Sequence, residues 1–163
     1  MLKKIIITLA LIIPAFGFAQ KIGTVDVDAI FKAMPELAVA EQQFNEFSNA
    51  YKAELSRLNE QMDKEYAEFQ ALADSNPIKA SRQRSLEDLQ MKIQQFYETA
   101  NRDMENERQR LMQPIHDRID AAINSVGTRN GFSVILPQAS VSFVGPDVAD
   151  CTSLVKAELK IAD

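Results

Sequence analysis

Residues 86–126, LEDLQMKIQQFYETANRDMENERQRLMQPIHDRIDAAINSV, decide the architecture of the chain. A row runs through Leu86, Leu89, Ile93, Tyr97, Ala100, Met104, Arg108, Leu111, Ile115, Ile119, Ala122 and Val126, apolar at every position but Arg108. Its steps of 3, 4 and 4 add to eleven residues over three turns, about 3.67 per turn, close to the period of a straight α-helix. The preceding segment carries a second row in the same rhythm: Phe44, Phe47, Tyr51, Leu55, Leu58, Met62, Tyr66 and Phe69. Between them, Asp74-Ser75-Asn76-Pro77 has the chemistry of a turn. Two such stripes joined by a short turn predict a long antiparallel helical hairpin. No glycine falls between Gly23 and Gly127, as rigid helices require. At about 1.5 Å per residue, a helix over 36–73 is roughly 55 Å long, more than the width of a small domain. An arm of this kind projects from a body and touches partners.

The body has to be built from the two ends of the chain. Lys21 to Val27 (KIGTVDV) reads as a strand with Gly23, Val25 and Val27 on one face. Asp28 is placed to cap a short helix carrying Ile30, Phe31 and Met34, which Pro35 ends. Gly127 and then Asn130-Gly131 are stop signals for the second arm. Beyond them, Phe132–Leu136 and Ala139–Val144 read as two strands flanking Pro137-Gln138, an expected β-hairpin. Asp150 can cap a final helix with Cys151, Leu154, Val155 and Leu159 on one side. The expected fold is α+β, organised as 20–35 body, 36–126 arm with its tip near 74–78, and 127–163 body. Three short strands and small helices bury too little for an independent core. The strand residues Ile22, Val25, Val27, Val134, Leu136, Val141 and Phe143 are therefore expected to form a body shared between copies of the chain.

The first residues read as a cleaved export signal. Lys3 and Lys4 supply the positive region, Ile5 to Ile13 the apolar one, and Gly17-Phe18-Ala19 a small-x-small cleavage pattern. A membrane anchor needs about 20 apolar residues, and Pro14 and Gly17 interrupt a shorter run. Cleavage after Ala19 implies a periplasmic location. Without Lys3 and Lys4, about 16 basic residues remain against 23 acidic ones. That balance excludes nucleic acid as a partner, since phosphates demand a basic surface. Cys151 is the only cysteine, so no internal disulfide can staple the body, and oligomerisation is the alternative route to stability.

Groups able to carry chemistry are sparse. His116 is the only histidine and reads as a boundary residue beside the Ile115/Ile119 stripe. No phosphate loop, cysteine pair or nucleophile elbow occurs, so the chain is read as neither enzyme, metalloprotein nor cofactor carrier. Cys151 reads as buried packing. Pro114 inside the second arm predicts a kink near 110–114, and with it a possible hinge. Lys79, Arg82 and Arg84 make the arm tip locally basic on an arm that is otherwise acidic. They are candidates for contact with anionic membrane or acidic client segments. The many aromatic and methionine residues of the arms exceed what one seam can bury, which leaves an adaptable apolar surface.

Taken together, the export signal, the opening strand followed by Ile30-Phe31, and the long charged hairpin resemble the Skp (OmpH-like) family of periplasmic chaperones. The most specific likeness is the closing segment, from Phe132-Ser133-Val134-Ile135-Leu136 through Asp147-Val148-Ala149-Asp150-Cys151-Thr152 to Leu154-Val155-Lys156. The resemblance implies a homotrimer in which strands of three chains form the body and three helical tentacles surround a cavity. It implies ATP-independent holding of unfolded outer-membrane proteins, with no catalytic residues. Well-known members are strongly basic and this chain is acidic, so an affinity for anionic lipid is implied at most for the tip. The alternative is a structural coiled-coil spacer or adaptor docking on a folded partner. A spacer needs a uniformly polar arm outside the seam, whereas a holdase exposes apolar residues.

Overall fold

The computed structural model describes residues 20–162. The expected signal peptide, 1–19, and its cleavage site lie outside the described residues. Strand β1 (Lys21–Val25) leads into α1 (Val27–Ala33), and Pro35 at its first turn starts α2 (Pro35–Gln70). A turn over 71–78 reverses the chain into α3 (Lys79–Asn130). Then follow β2 (Phe132–Pro137), a 3₁₀ turn (Gln138–Ser140), the two-residue β3 (Ala149–Asp150) and α4 (Thr152–Leu159). With 36 and 52 residues, α2 and α3 are about 54 and 78 Å long at 1.5 Å per residue. Only the bases of the two arms reach the body, α2 through Leu37, Ala40 and Phe44. There Leu111, Ile115, Ile119, Ala122 and Val126 share one core with Val25, Ile30, Met34, Val155 and Leu159.

The sheet has the order β2-β1-β3, and both neighbours run parallel to the central β1. Parallel strands cannot be joined by a tight turn. The whole hairpin arm is thus a greatly extended crossover between β1 and β2. This arrangement overturns the expected β-hairpin at Pro137-Gln138. A hairpin partner would lie on the outer edge of β2, and among the described residues no strand pairs there. Val141 and Phe143 lie instead in an irregular segment, and the third strand is Ala149–Asp150.

Other boundaries shift for local reasons. Asp26, not Asp28, caps α1: its Oδ1 accepts the Ala29 N–H at 2.8 Å. Val27 therefore leaves the strand and enters the helix, while Asp28 stands in the first turn, where a carboxylate suits the helix dipole. Gly127 does not end α3. The helix stops at Gly131, which takes φ 67° and ψ 33°, the left-handed conformation glycine tolerates. Asp150 does serve the last helix, its Oδ1 accepting the Thr152 N–H at 2.9 Å. Cys151, Val155 and Leu159 are buried there, but Leu154 is exposed.

The seam of the arms departs from the eleven-residue row. Positions 44, 48, 51, 55, 58, 62, 65 and 69 on α2 and 82, 86, 89, 93, 96, 100, 103 and 107 on α3 are all buried or half-buried and form the seam, with Phe47, Glu54 and Met104 half-buried beside it. Steps of 4 and 3 alternate, a seven-residue repeat of the kind that keeps two helices facing each other. The row read from apolar residues jumped to Tyr66, Tyr97 and Arg108. The seam instead takes Glu65, Phe96 and Glu107, and leaves those three exposed. Glu107 pairs with Arg110 on its own helix, and the other charged groups of the seam pair across the arms. The Tyr51 hydroxyl donates to Asp103 Oδ2 at 2.9 Å, and Arg82 meets Glu65 at 3.0 Å and Glu68 at 3.3 Å.

Candidate functional site

Three surfaces could carry function: the arms, their tip, and the outer face of the sheet. On the arms the large exposed hydrophobic residues are Val39, Tyr66, Ile78, Met91 and Tyr97. The surface outside the seam is therefore not uniformly polar. Between them lie dense local ion pairs such as Glu54 with Arg57 and Glu107 with Arg110. In each pair the arginine's hydrogen bonds hold the carboxyl below the usual carboxylate range.

At the tip, two of the three predicted cations turn inward. Lys79 pairs with Asp74, donates to the Leu72 carbonyl at 3.2 Å and sits 5.4 Å from the Phe69 ring centre. Arg82 bridges Glu65 and Glu68 on the opposite arm. Arg84 makes no ion pair among the described residues and is exposed. The counter-charges come from Asp74, Glu65 and Glu68. All three lie outside 75–86, the stretch without acidic residues that makes the tip look basic in sequence. Pro114 lies inside α3, exposed, at a shallow groove where the arms leave the body, beside Val39, Leu111 and Ile115. The α3 seam passes this point in steps of four (107, 111, 115, 119), a break in the seven-residue repeat.

The sheet residues divide into two groups. Val25 is buried in the chain's own core and Val27 packs against it, so these two are not surfaces for another copy. Ile22, Val134 and Leu136 remain 38%, 40% and 40% exposed. Ile22 pairs with Val134, and Thr24 with Leu136, so alternation sets all three on the face opposite Ile135, which packs against the core. Val141 is half-buried and Phe143, at 83%, is the most exposed of the large hydrophobic residues.

Reactive groups are elsewhere accounted for. His116 stacks on Phe31, ring centres 4.9 Å apart. Cys151 is buried, and burial pushes its thiol up, with Asp150 adding to the effect. Among the described residues no cluster of His, Cys, Asp and Glu could hold a metal ion, and no helix is long and apolar enough to cross a membrane. The surfaces are broad and open, and what they can offer is contact.

Residues 21–159 match the family described as outer membrane protein (OmpH-like). The chaperone protein Skp of Yersinia enterocolitica is 31% identical over 157 residues, 93% of each chain. That of Pectobacterium atrosepticum is 28% identical over 147 residues, 87% of each. A crystal structure described as an OmpH-like outer membrane chaperone, from Caulobacter crescentus CB15, superposes with a TM-score of 0.70. It covers 86% of this chain and 83% of its own at 15% identity, so this likeness is one of fold.

Proposed function

The chain belongs to the OmpH-like family of Skp chaperones, and from that premise we propose that it is an ATP-independent periplasmic holdase for unfolded outer-membrane proteins. In this reading the mature chain starts at Gln20, after export and cleavage. It assembles as a homotrimer through the apolar face of Ile22, Val134 and Leu136, together with Val141 and Phe143. Three arms then enclose a cavity that holds the client. The observation that carries the reading is the arm itself: helices of 36 and 52 residues project from a small body and expose Tyr66, Met91 and Tyr97 outside their seam. Those exposed side chains favour a holdase over a spacer. Many weak contacts on linked arms raise avidity by about 10²–10⁴ without any tight single site. In the same reading Arg84 is the tip residue available for weak contact with an anionic surface, and Pro114 adjusts the arm at its base.

The test dilutes a urea-denatured barrel protein into buffer without nucleotide, with and without the protein purified from periplasm, its N-terminus checked by intact mass. Turbidity should fall and a soluble complex should form. Unchanged aggregation would leave the spacer as the better account.

A further inference from the structure

The two flanks of the hairpin differ in chemistry. The seven-residue seam fixes which positions lie beside it, and in an antiparallel pair each flank is built from like positions of both helices. Glu54 and Lys92 each stand one step before a matching seam residue, Leu55 and Ile93, and so lie on one side. With Arg57, Lys64, Glu68 and Arg102, that side is densely charged. The opposite flank, one step after every second seam residue (44, 51, 58, 65 and 82, 89, 96), carries Asn45, Asn59, Tyr66, Gln83, Gln90 and Tyr97, with Lys52 the one charge in these inner rows. The next row outward adds further amides and only Asp63 and Glu87 as charges between residues 49 and 101. Tyr66 and Tyr97 are about half exposed. The Tyr51 hydroxyl in the seam is committed to Asp103. Those of Tyr66 and Tyr97 bond to no described residue.

We propose that this amide-and-tyrosine flank is the side of the arm that binds extended, unfolded polypeptide. The inference deepens the holdase reading and rests on it. Asn and Gln present both donors and acceptors, so they can bond a strand's N–H and C=O groups whatever its sequence. Tyrosine adds a large, stiff apolar ring with a polar end, the pairing that adaptable binding loops also use. Membrane-barrel strands alternate apolar residues with polar ones and carry aromatic girdles, so a flank with few charges suits them. On the other flank a client would have to desolvate charges already paired within the arm, which is costly.

The test compares purified trimers binding a fluorescent, denatured barrel protein at fixed salt. Tyr66→Ala with Tyr97→Ala, and separately Asn59→Lys with Gln83→Lys, alter the neutral flank. Gln61→Lys with Thr99→Lys adds the same charge to the other flank. Each lysine has an acidic residue four positions later, so helix stability is conserved. Both neutral-flank variants should weaken binding about tenfold, as loss of central tyrosine contacts does at other interfaces, and the matched control should stay within about twofold. Equal losses on both flanks, or none on the neutral one, would overturn the assignment while leaving the holdase reading in place. If the tyrosine variant loses helicity, the two lysine pairs decide. A wild-type protein that binds no client overturns both.

Discussion

Gly23 occupies a place in β1 that no other residue can take without movement. A Cβ there would lie 2.6 Å from Cys151 Sγ and 3.1 Å from two carbons of the Phe132 ring. Gly23→Ala should therefore destabilise the body by about 1–3 kcal/mol, the usual cost of overpacking. Cys151→Ala removes the nearest obstruction, so the double variant should lose less than the sum of the singles. Urea midpoints at one protomer concentration read the cycle, and simple additivity would show that the two side chains do not meet. The same cysteine gives the body an alkaline limit. Its thiol is raised by burial, then by Asp150, with Lys21 opposing. An unfolded chain ionises this thiol from about pH 8.5, whereas the folded chain does so only higher. The contribution is present in full below that pH and is lost as pH rises through the folded value. Wild-type midpoints should fall between pH 8 and 10.5 more steeply than those of Cys151→Ala. Parallel profiles would refute a buried thiol.

At the scale of elements, the arms owe their register to a few polar side chains inside an apolar seam. Arg82 joins α3 to Glu65 and Glu68 of α2 near the tip, half in solvent, so it is worth about 1 kcal/mol or less. Arg82→Ala should leave the body's melting unchanged and speed hydrogen exchange of the amides in 62–90. Exchange unchanged there would mean that the turn at Asn76, not the ion pairs, holds the tip. These residues also show where the sequence could be read and where it could not. Two long helices and the turn between them were legible because amphipathic spacing and Pro/Gly punctuation are local signals, although the second helix runs past Gly127 to Asn130. The true seam was not, because Glu65 and Asp103 are acceptable in it through partners on the other helix, and Glu107 through Arg110 one turn along its own. The strand at Ala149–Asp150 is two residues long and forms only by pairing with the side of β1 opposite β2, which no property of its own sequence announces. The tip's charge was misjudged for the same reason. Lys79 and Arg82 are neutralised by acids distant in sequence or outside the basic run.

For the whole molecule, the exposed outer face of the sheet and the projecting arms make opposite demands, one for burial and one for access. Val134 is 40% exposed in a single chain, so an aspartate there is tolerable in a monomer. Between copies it would be an unpaired buried charge costing several kcal/mol, on the order seen for buried polar groups without partners. Val134→Asp should therefore give a helical monomer by sedimentation. A trimer that persisted would move the interface elsewhere. The arms can be separated from the body by length. Tyr51 lies against Phe96 and Asp103, and Arg82 against Glu65 and Glu68, so residues whose numbers sum to about 147–154 face each other. Arg57 and Gln94 are such a pair. Removing Leu58 to Ile93 and closing the gap with a short turn keeps the register of what remains, and it leaves Leu111 to Val126 in the core. The shortened chain should still assemble. It loses Tyr66, Ile78 and Met91 and the whole outer part of the hairpin, residues 58–70 of α2 with the tip and the start of α3, so linked weak contacts should fall below what holding requires. Light scattering of a diluted barrel protein should then rise toward the level without chaperone, while single substitutions on the arms leave suppression largely intact. A shortened protein that suppressed aggregation as well as the full one would place client binding on the body, and the arms would be spacers after all.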